Sequence, residues 1–393
     1  MTIHRRAFLT ASALTAASYQ RVFGANNRLG IALIGSGRRG RDVMRGFLNT
    51  GMAELHVICD VYDAQRTRAR DMLVKDVKPH ECIAHEEAIA RRDVDAVLLA
   101  TPDHLHLDIA TAAFAAGKPV YLEKPVTHQL EEGAALLRAA RTSGKVCQIG
   151  TQQRSGAHYK RVREEYFATG KLGKIVSVRA VWHNFPWQAR RIAKSPKPAG
   201  LDWMRFLGRS PYFDYDAARY DAWRYYPEYG GGVLADIFNH WADVAQWMMN
   251  DAKPLHAVSL GGIYELRDGR TNPDTVHAII QYQNWNLSFE CSVLSLRDDR
   301  PGVLFQGTEG SLFLARDGYV FTPPKGAPVE VKATEDLEVA HAKDFVEAVR
   351  DGRKPACDVE VGLEGIRPCH LARAAYWSGR RASYDAARNV ISV

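Results

Sequence analysis

Three residues in the middle of the chain could carry out acid–base chemistry. Asp236 and His240 are four residues apart and follow a glycine run at 230–232, a spacing that places both on one face of a helix. Asp243, three residues further on, could orient the imidazole. A histidine has an ordinary pKa of about 6.5 and can accept a proton at neutral pH. The pattern indicates a general base, and a buried histidine–aspartate hydrogen bond with a purely structural role is the alternative.

A glycine-rich turn indicates a second kind of site. GSGRRG follows the strand sequence LGIALI and opens a helix. Gly35 allows a tight turn, Gly37 lets the backbone approach a pyrophosphate, and Gly40 permits close packing of helix on strand. Asp60 ends the next strand, 20 residues after Gly40, where a carboxylate can bind the ribose hydroxyls of adenosine. We therefore expect a dinucleotide to contact the turn residues Gly35, Ser36, Gly37, Arg38, Arg39 and Gly40.

The same stretch bears on which dinucleotide binds. Asp60 favours NAD, because a carboxylate repels the 2′-phosphate of NADP. Arg38, Arg39 and Arg66 could accommodate that phosphate, so NADP stays open. The segment TPDHLH at 101–106 follows the fourth strand, at the sheet edge where ligands bind. From it we expect Thr101, Pro102 and His106 to lie at the cofactor; helix N-terminal histidines without a ligand are the alternative.

The elements that must position these residues alternate between strand and helix. Short apolar runs separated by helical stretches over residues 26–150 predict an α/β fold with a doubly wound parallel sheet, a Rossmann domain. From 151 to 393 the strands are longer and alternate in polarity. Turns at 283–284 and 317–318 indicate antiparallel pairing. This half predicts an α+β domain with an open, mostly antiparallel sheet, for substrate binding and oligomerisation, whose C-terminal helices could pack back on the first domain.

The composition and the N-terminus set further limits. The 393 residues are 46% hydrophobic and 25% charged, which excludes disorder and coiled coil. Residues 1–25 contain Arg5 and Arg6, a short uncharged run and no acid, and they resemble a twin-arginine export signal. A disordered terminus is the alternative. Without that segment the net charge falls from +7 to +4, and the basic residues are scattered, so we expect no nucleic-acid partner. The uncharged run is too short to span a bilayer.

Four motifs in order resemble the glucose–fructose oxidoreductase/inositol dehydrogenase family, Gfo/Idh/MocA. They are GSGRRG, TPDHLH, the tripeptide EKP at 123–125, and GGGVLADIFNHWADVAQWMM. The resemblance implies that Lys124, Asp236 and His240 form the catalytic group of a nicotinamide-dependent enzyme. His240 would remove a hydroxyl proton as hydride leaves, Lys124 would hydrogen-bond the same oxygen, and Asp236 would hold a neighbouring hydroxyl.

The resemblance also implies more distant contacts. Glu123 would shape the loop of Lys124, and both would lie at the cofactor. Trp223 and Arg224 match a segment that approaches the nicotinamide. A homo-oligomer, a dimer or a tetramer, is expected from the resemblance alone.

Aromatic residues are concentrated on the expected substrate side. Thirteen of the chain's 38 lie between 182 and 229, and we expect most to pack the loops and two or three to face a sugar. Further candidates for the pocket are Gln153, Arg154, His183 and Tyr229. No metal site is expected.

These observations favour an exported oxidoreductase acting on a sugar or polyol with NAD or NADP. Because free NAD is scarce outside the cytoplasm, we expect the cofactor to be tightly bound, loaded before passage through the twin-arginine machinery to a periplasmic or extracellular location, and recycled within each turnover. An NAD-dependent glycosidase using transient oxidation and elimination is one alternative. A non-catalytic protein that binds sugar or cofactor is another.

Overall fold

The computed structural model describes residues 28–75, 78–183, 191–294 and 300–393. The expected export signal, and with it Arg5 and Arg6, lies outside the described residues, as do Phe185 and Trp187 of the aromatic stretch. No helix in the described ranges combines the length and the apolar character that crossing a membrane requires.

The first half of the chain forms a six-stranded parallel sheet, because its apolar runs can be buried on both faces. The spatial order is β3-β2-β1-β4-β5-β6. Its strands are β1 Leu29–Ile34, β2 Ala53–Cys59, β3 His80–Cys82, β4 Ala96–Leu99, β5 Val120–Leu122 and β6 Cys147–Ile149. The helices of this half are α1 Arg38–Asn49, α2 Asp63–Leu73, α3 His85–Ala90, α4 His106–Ala115 and α5 Glu132–Ser143. The expected Rossmann-like sheet is confirmed.

The second half builds a ten-stranded sheet of order β14-β13-β12-β11-β7-β10-β9-β8-β15-β16. Within the described ranges its strand pairs are antiparallel except β7 with β10. The strands are β7 Ile175–Val181, β8 His256–Gly262, β9 Thr275–Gln281, β10 Asn286–Ser292, β11 Gly302–Gly307, β12 Gly310–Ala315, β13 Gly318–Thr322, β14 Val329–Lys332, β15 Ala382–Asp385 and β16 Val390–Ser392. The mostly antiparallel sheet is confirmed.

The helices of the second half pack on this sheet and on the first domain. They are α6 Ala157–Val162, α7 Trp203–Leu207, α8 Ala217–Asp221, α9 Gly232–Asp236, α10 Phe238–Met249, α11 Leu337–Asp351 and α12 Val359–Ser378. The ring of Phe238 stacks on that of Phe289 in β10, with centroids 4.5 Å apart, which seats α10 on the sheet. Helix α11 returns to pack on α1, behind the glycine turn.

The helix expected around His240 is interrupted. The Nζ of Lys124 donates to the main-chain oxygen of Asp236 at 2.9 Å, an oxygen that in a continuous helix would accept from the N–H of His240. That N–H donates instead to the oxygen of Ile237, and the segment divides into α9 and α10. Asp236 therefore ends one helix while His240 lies in the first turn of the next.

Candidate active site

A cavity of about 1060 Å³ lies at the carboxyl edge of the parallel sheet and extends to the second domain. The glycine turn and Asp60 line this cavity. Lys124, Asp236 and His240 line it as well. Residues from distant parts of the sequence thus line one cavity, whose volume is large enough for an extended ligand.

The glycine turn has the shape that a pyrophosphate requires. A Cβ on Gly40 would lie 2.0 Å from the oxygen of Gly35, so helix and strand are too close there for any side chain. A Cβ on Gly37 would meet no atom within 4 Å, which leaves the backbone open to the cavity. The hydroxyl of Thr101 at the cavity wall is buried and has no hydrogen-bond partner among the described residues. An open backbone and an unsatisfied hydroxyl both suit a dinucleotide.

Asp60 is held by the turn it faces. Its Oδ2 accepts from the backbone N–H of Ser36 at 2.7 Å, and its Oδ1 accepts from the N–H of Tyr62 at 3.0 Å. Burial raises the pKa of Asp60, and these hydrogen bonds oppose that rise. The Oδ1 atom keeps a lone pair with which it can accept from a ribose hydroxyl.

Lys124 and Asp236 are in direct contact at the wall of the same cavity. The Nζ of Lys124 is 2.6 Å from the Oδ1 of Asp236, and the Nε of Arg224 is 3.2 Å from the Oδ2. Burial alone would raise the pKa of Asp236, but the two cations outweigh it and hold this pKa well below the usual range. With two of its three N–H groups directed at Asp236, the ammonium group has one left for an oxygen in the cavity.

His240 lies beside this pair as a neutral imidazole. Burial lowers its pKa well below the ordinary value, and the charges of Lys124, Arg316 and Arg39 lower it further. The Nδ1 atom is 3.2 Å from the side-chain oxygen of Gln153. An amide oxygen accepts only, so Nδ1 carries the hydrogen and the lone pair of Nε2 is available as a base.

Asp243 does not orient this imidazole. Its two carboxylate oxygens accept from the Nε of Arg154 at 2.9 Å, within a buried ion pair. Arg154, which follows β6 in the sequence, therefore binds the carboxylate of Asp243, although the helical spacing predicted that this carboxylate would contact His240. Gln153, beside that arginine, makes the contact to the imidazole instead.

Asp103 is a carboxyl group at the cavity that the sequence motifs did not indicate. It is 2% exposed, and its hydrogen bond from the N–H of Gly231 is long at 3.4 Å. Burial, followed by repulsion from Asp236, raises its pKa to about 7. Asp103 is the aspartate of the TPDHLH motif, but nothing in the sequence placed it near Asp236.

Glu338 was also missed, because it belongs to α11, more than 200 residues from the nearest motif candidate in the first domain. The Nη1 of Arg39 is 2.7 Å from Glu338, and its Nη2 is 2.8 Å from Glu123. Gln152 donates to the same Glu338 at 2.9 Å. Arg39 is therefore engaged by two carboxylates, and its guanidinium holds the glycine turn to the strand end that carries Lys124.

The remaining candidates fall into two groups. The cavity wall includes Arg38, Thr101, Pro102, Trp223 and Arg224. A second group, which includes His106, lies behind this wall. His106 places its ring nitrogens 2.8 Å from the oxygen of Pro125 and 3.0 Å from that of Thr101, bracing two loops.

His183 and Tyr229 do not line the cavity. The Nδ1 of His183 accepts from the N–H of Ser292 within the second sheet. Tyr229 is fully buried in an aromatic cluster that includes Trp203 and Phe206. Of the aromatic stretch, the described rings that reach the cavity wall are Trp182, Phe206, Tyr220 and Trp223.

Comparison with known proteins supports both halves of this picture. A family model described as an oxidoreductase family with an NAD-binding Rossmann fold matches residues 29–151, and one described as the GFO/IDH/MocA C-terminal domain matches 205–313. Together they cover about three-fifths of the chain. The first domain is thus an NAD-binding Rossmann fold.

Individual relatives are more distant. The chain is 28% identical over 228 residues to a 1,5-anhydro-D-fructose reductase from Ensifer adhaerens, covering 58% of this chain and 59% of that protein. It is 26% identical to a glycosyl hydrolase family 109 protein from Shewanella baltica, over 41% of this chain and 37% of that one. The chain thus spans about three-fifths or less of these two relatives' length. A levoglucosan dehydrogenase in complex with NADH and levoglucosan has the same fold, with a TM-score of 0.73, 20% identity, and coverage of 91% and 99%.

Proposed function

The chain belongs to the Gfo/Idh/MocA family of oxidoreductases, and we propose that it transfers hydride between a carbohydrate or polyol CH–OH group and nicotinamide. The observation that carries the proposal is the contact of Lys124 with Asp236 beside His240, in the same cavity that the glycine turn lines. A proton acceptor, a hydrogen-bond donor and a dinucleotide site are then within reach of one substrate carbon.

Bound in this cavity, the nicotinamide supplies a hydride acceptor or donor. In the oxidising direction the neutral His240 takes the hydroxyl proton, while Lys124 donates its remaining hydrogen bond to the same oxygen as charge develops. The ion pair with Asp236 fixes the ammonium group in place. The second oxygen of that carboxylate is bound by Arg224, so the side chain cannot rotate away. In the reducing direction the imidazolium returns the proton.

A further part of the proposal concerns where the protein works. Arg5 and Arg6 at the N-terminus support export by a twin-arginine route, in which cargo crosses folded. We propose that the cofactor is loaded before export and stays bound. One carbohydrate would then reduce the bound NAD, and a second carbohydrate would reoxidise the NADH. A homo-oligomer is part of the same proposal and rests on the family.

A second candidate function is an NAD-dependent glycosidase, which oxidises a sugar transiently, eliminates the aglycone and re-reduces the product. The likeness to a glycosyl hydrolase favours it, and so does Asp103, which retains its proton to about pH 7 and could protonate a leaving group. The residues proposed for hydride transfer would serve this reaction too.

One preparation tests both. The purified protein is denatured and any released nucleotide is identified, and the native protein is then screened with sugars, polyols and nitrophenyl glycosides. Net formation of NADH with added NAD supports the dehydrogenase. Release of nitrophenol without net NADH supports the glycosidase, and turnover of no compound by protein saturated with NAD contradicts both.

A further inference from the structure

Arg316 is a cation on the cavity wall that the proposed reaction does not use. It lies in the two-residue turn between β12 and β13, where Ala315 pairs with Gly318, and it lines the cavity with His240. Asp317, the other residue of the turn, faces away from the cavity. The side chain of Asp317 is 69% exposed and pairs with Arg300 at 2.6 Å. The hairpin therefore turns one residue to solvent and the other into the cavity.

Arg316 is also set apart because no carboxylate contacts it directly: Glu338 and Glu123 lie within electrostatic range, but both bind Arg39. Of the other arginines that line the cavity, Arg39 binds two glutamates and Arg224 binds Asp236. Arg316 makes no ion pair with any residue that the structure describes, and its Nε is shielded from solvent with no hydrogen-bond partner there. Its guanidinium lies over the indole of Trp182, 4.8 Å from the ring centroid. The cation is thus positioned by packing on Trp182, with no carboxylate bound to it directly.

An arginine in this situation calls for an anion. The side chain stays protonated in proteins, and a partly desolvated charge without a partner costs free energy that a bound counter-charge returns. Its planar fork of N–H groups matches the oxygens of a carboxylate or a phosphate. The placement suits a substrate group. The ring of Trp182 also lies 5.8 Å from that of His240, so guanidinium and proton acceptor flank one indole.

We propose that Arg316 binds an anionic group of the substrate, so that this protein acts on a sugar acid or a sugar phosphate in preference to a neutral sugar. The inference rests on the proposed function and narrows its substrate class. The open backbone at Gly37 can receive the pyrophosphate of the cofactor, and the effect of Arg316→Gln on NADH binding tests whether this cation serves the cofactor instead.

The test compares each neutral hexose with its uronate and its 6-phosphate, using glucose, galactose and mannose. We expect one anionic series to exceed its neutral parents in kcat/KM. Exchange Arg316→Gln should lower the ratio of anionic to neutral kcat/KM by about 10- to 100-fold, the usual effect of losing a charge-assisted contact. Arg316→Lys should keep part of the ratio. Whichever series loses its advantage in kcat/KM in Arg316→Gln, the uronates or the 6-phosphates, identifies the anionic group that Arg316 binds.

Two measurements separate this inference from its competitors. Binding of the same sugars to the NADH-loaded protein is followed by thermal shift, so that the inference is judged even without turnover. Arg300→Gln removes the ion-pair partner of Asp317 in the same turn and lies outside the cavity wall, so it is the matched control and should leave the ratio unchanged.

The inference is overturned if neutral sugars are preferred, if Arg316→Gln lowers anionic and neutral substrates alike, or if its main effect is weaker binding of NADH. Net NADH formation from a neutral sugar would leave the proposed function standing while rejecting the anion. If no compound is turned over but an anionic sugar binds in a way that depends on Arg316, the anion inference stands and the proposed function is rejected.

Discussion

The side-chain oxygen of Gln153 and the Nδ1 of His240 are 3.2 Å apart, and this contact assigns the hydrogen of a neutral imidazole. Replacing Gln153 by Leu removes the acceptor, and we expect kcat to fall by about tenfold because the tautomer is no longer fixed. Gln153→Glu should instead raise the pKa of His240 by placing a negative charge beside it. The acid limb of the kcat/KM profile would then move to higher pH. Identical pH profiles for wild type and Gln153→Glu would contradict this positioning role.

Lys124→Met should abolish most turnover while preserving the cofactor site. The ammonium group is the donor nearest to Asp236, and loss of such a donor lowers kcat/KM by about 10²- to 10⁴-fold. Binding of NADH, measured by fluorescence titration, should change only a few-fold. Lys118→Met is the matched control, since its ammonium group donates to main-chain oxygens away from the cavity. Equal losses in the two variants would argue against a catalytic Lys124.

Asp103 should make stability depend on pH in an unusual direction. Its pKa rises from an ordinary 3.8 to about 7 on folding, so the folded state binds the proton more tightly. The contribution to stability is complete below about pH 4 and is lost as the pH rises through 7, on the order of 4 kcal/mol. Urea unfolding of nucleotide-free protein from pH 5 to 8 measures it. Asp103→Asn should flatten this part of the dependence, and a slope unchanged by the substitution would refute it.

The buried ion pair of Asp243 and Arg154 should be a structural one. Asp243 is fully buried, and Asp243→Asn leaves the guanidinium without its counter-charge, at a cost of about 3–5 kcal/mol in the free energy of unfolding. Glu165→Gln breaks the exposed pair with Arg161 on the surface and should cost under about 1 kcal/mol. Urea midpoints of both variants test the contrast, which would disappear if the buried pair contributed no more than the exposed one.

The sequence predicts the two sheets well because their signals are local. The apolar run before Gly35, the glycines themselves and the acid at Asp60 all lie within about 30 residues, and each has a meaning fixed by backbone geometry. The turn at 283–284 likewise marks the β9–β10 hairpin. The positions of the strands follow from such local patterns.

The parts that escaped prediction depend on contacts between distant segments. The spacing of Asp243 from His240 indicated a pair, yet Arg154 takes that carboxylate. The interruption between Asp236 and His240 arises because Lys124 captures a main-chain oxygen. No local pattern contains the partner in either case, so only the folded chain reveals which of two plausible contacts is made.

The return of helix α11 to the glycine turn has a consequence for engineering. The polypeptide leaves the nucleotide domain after β6, returns to it at α11, where Glu338 binds Arg39, and then rejoins the second domain with α12, β15 and β16. Exchanging the second domain with that of a relative while keeping α11 would therefore take three junctions, one near residue 150 and one on each side of α11. A chimera joined at one point near residue 150 would bring in the relative's α11. Arg39 in the glycine turn would then face a helix from a different protein in place of Glu338.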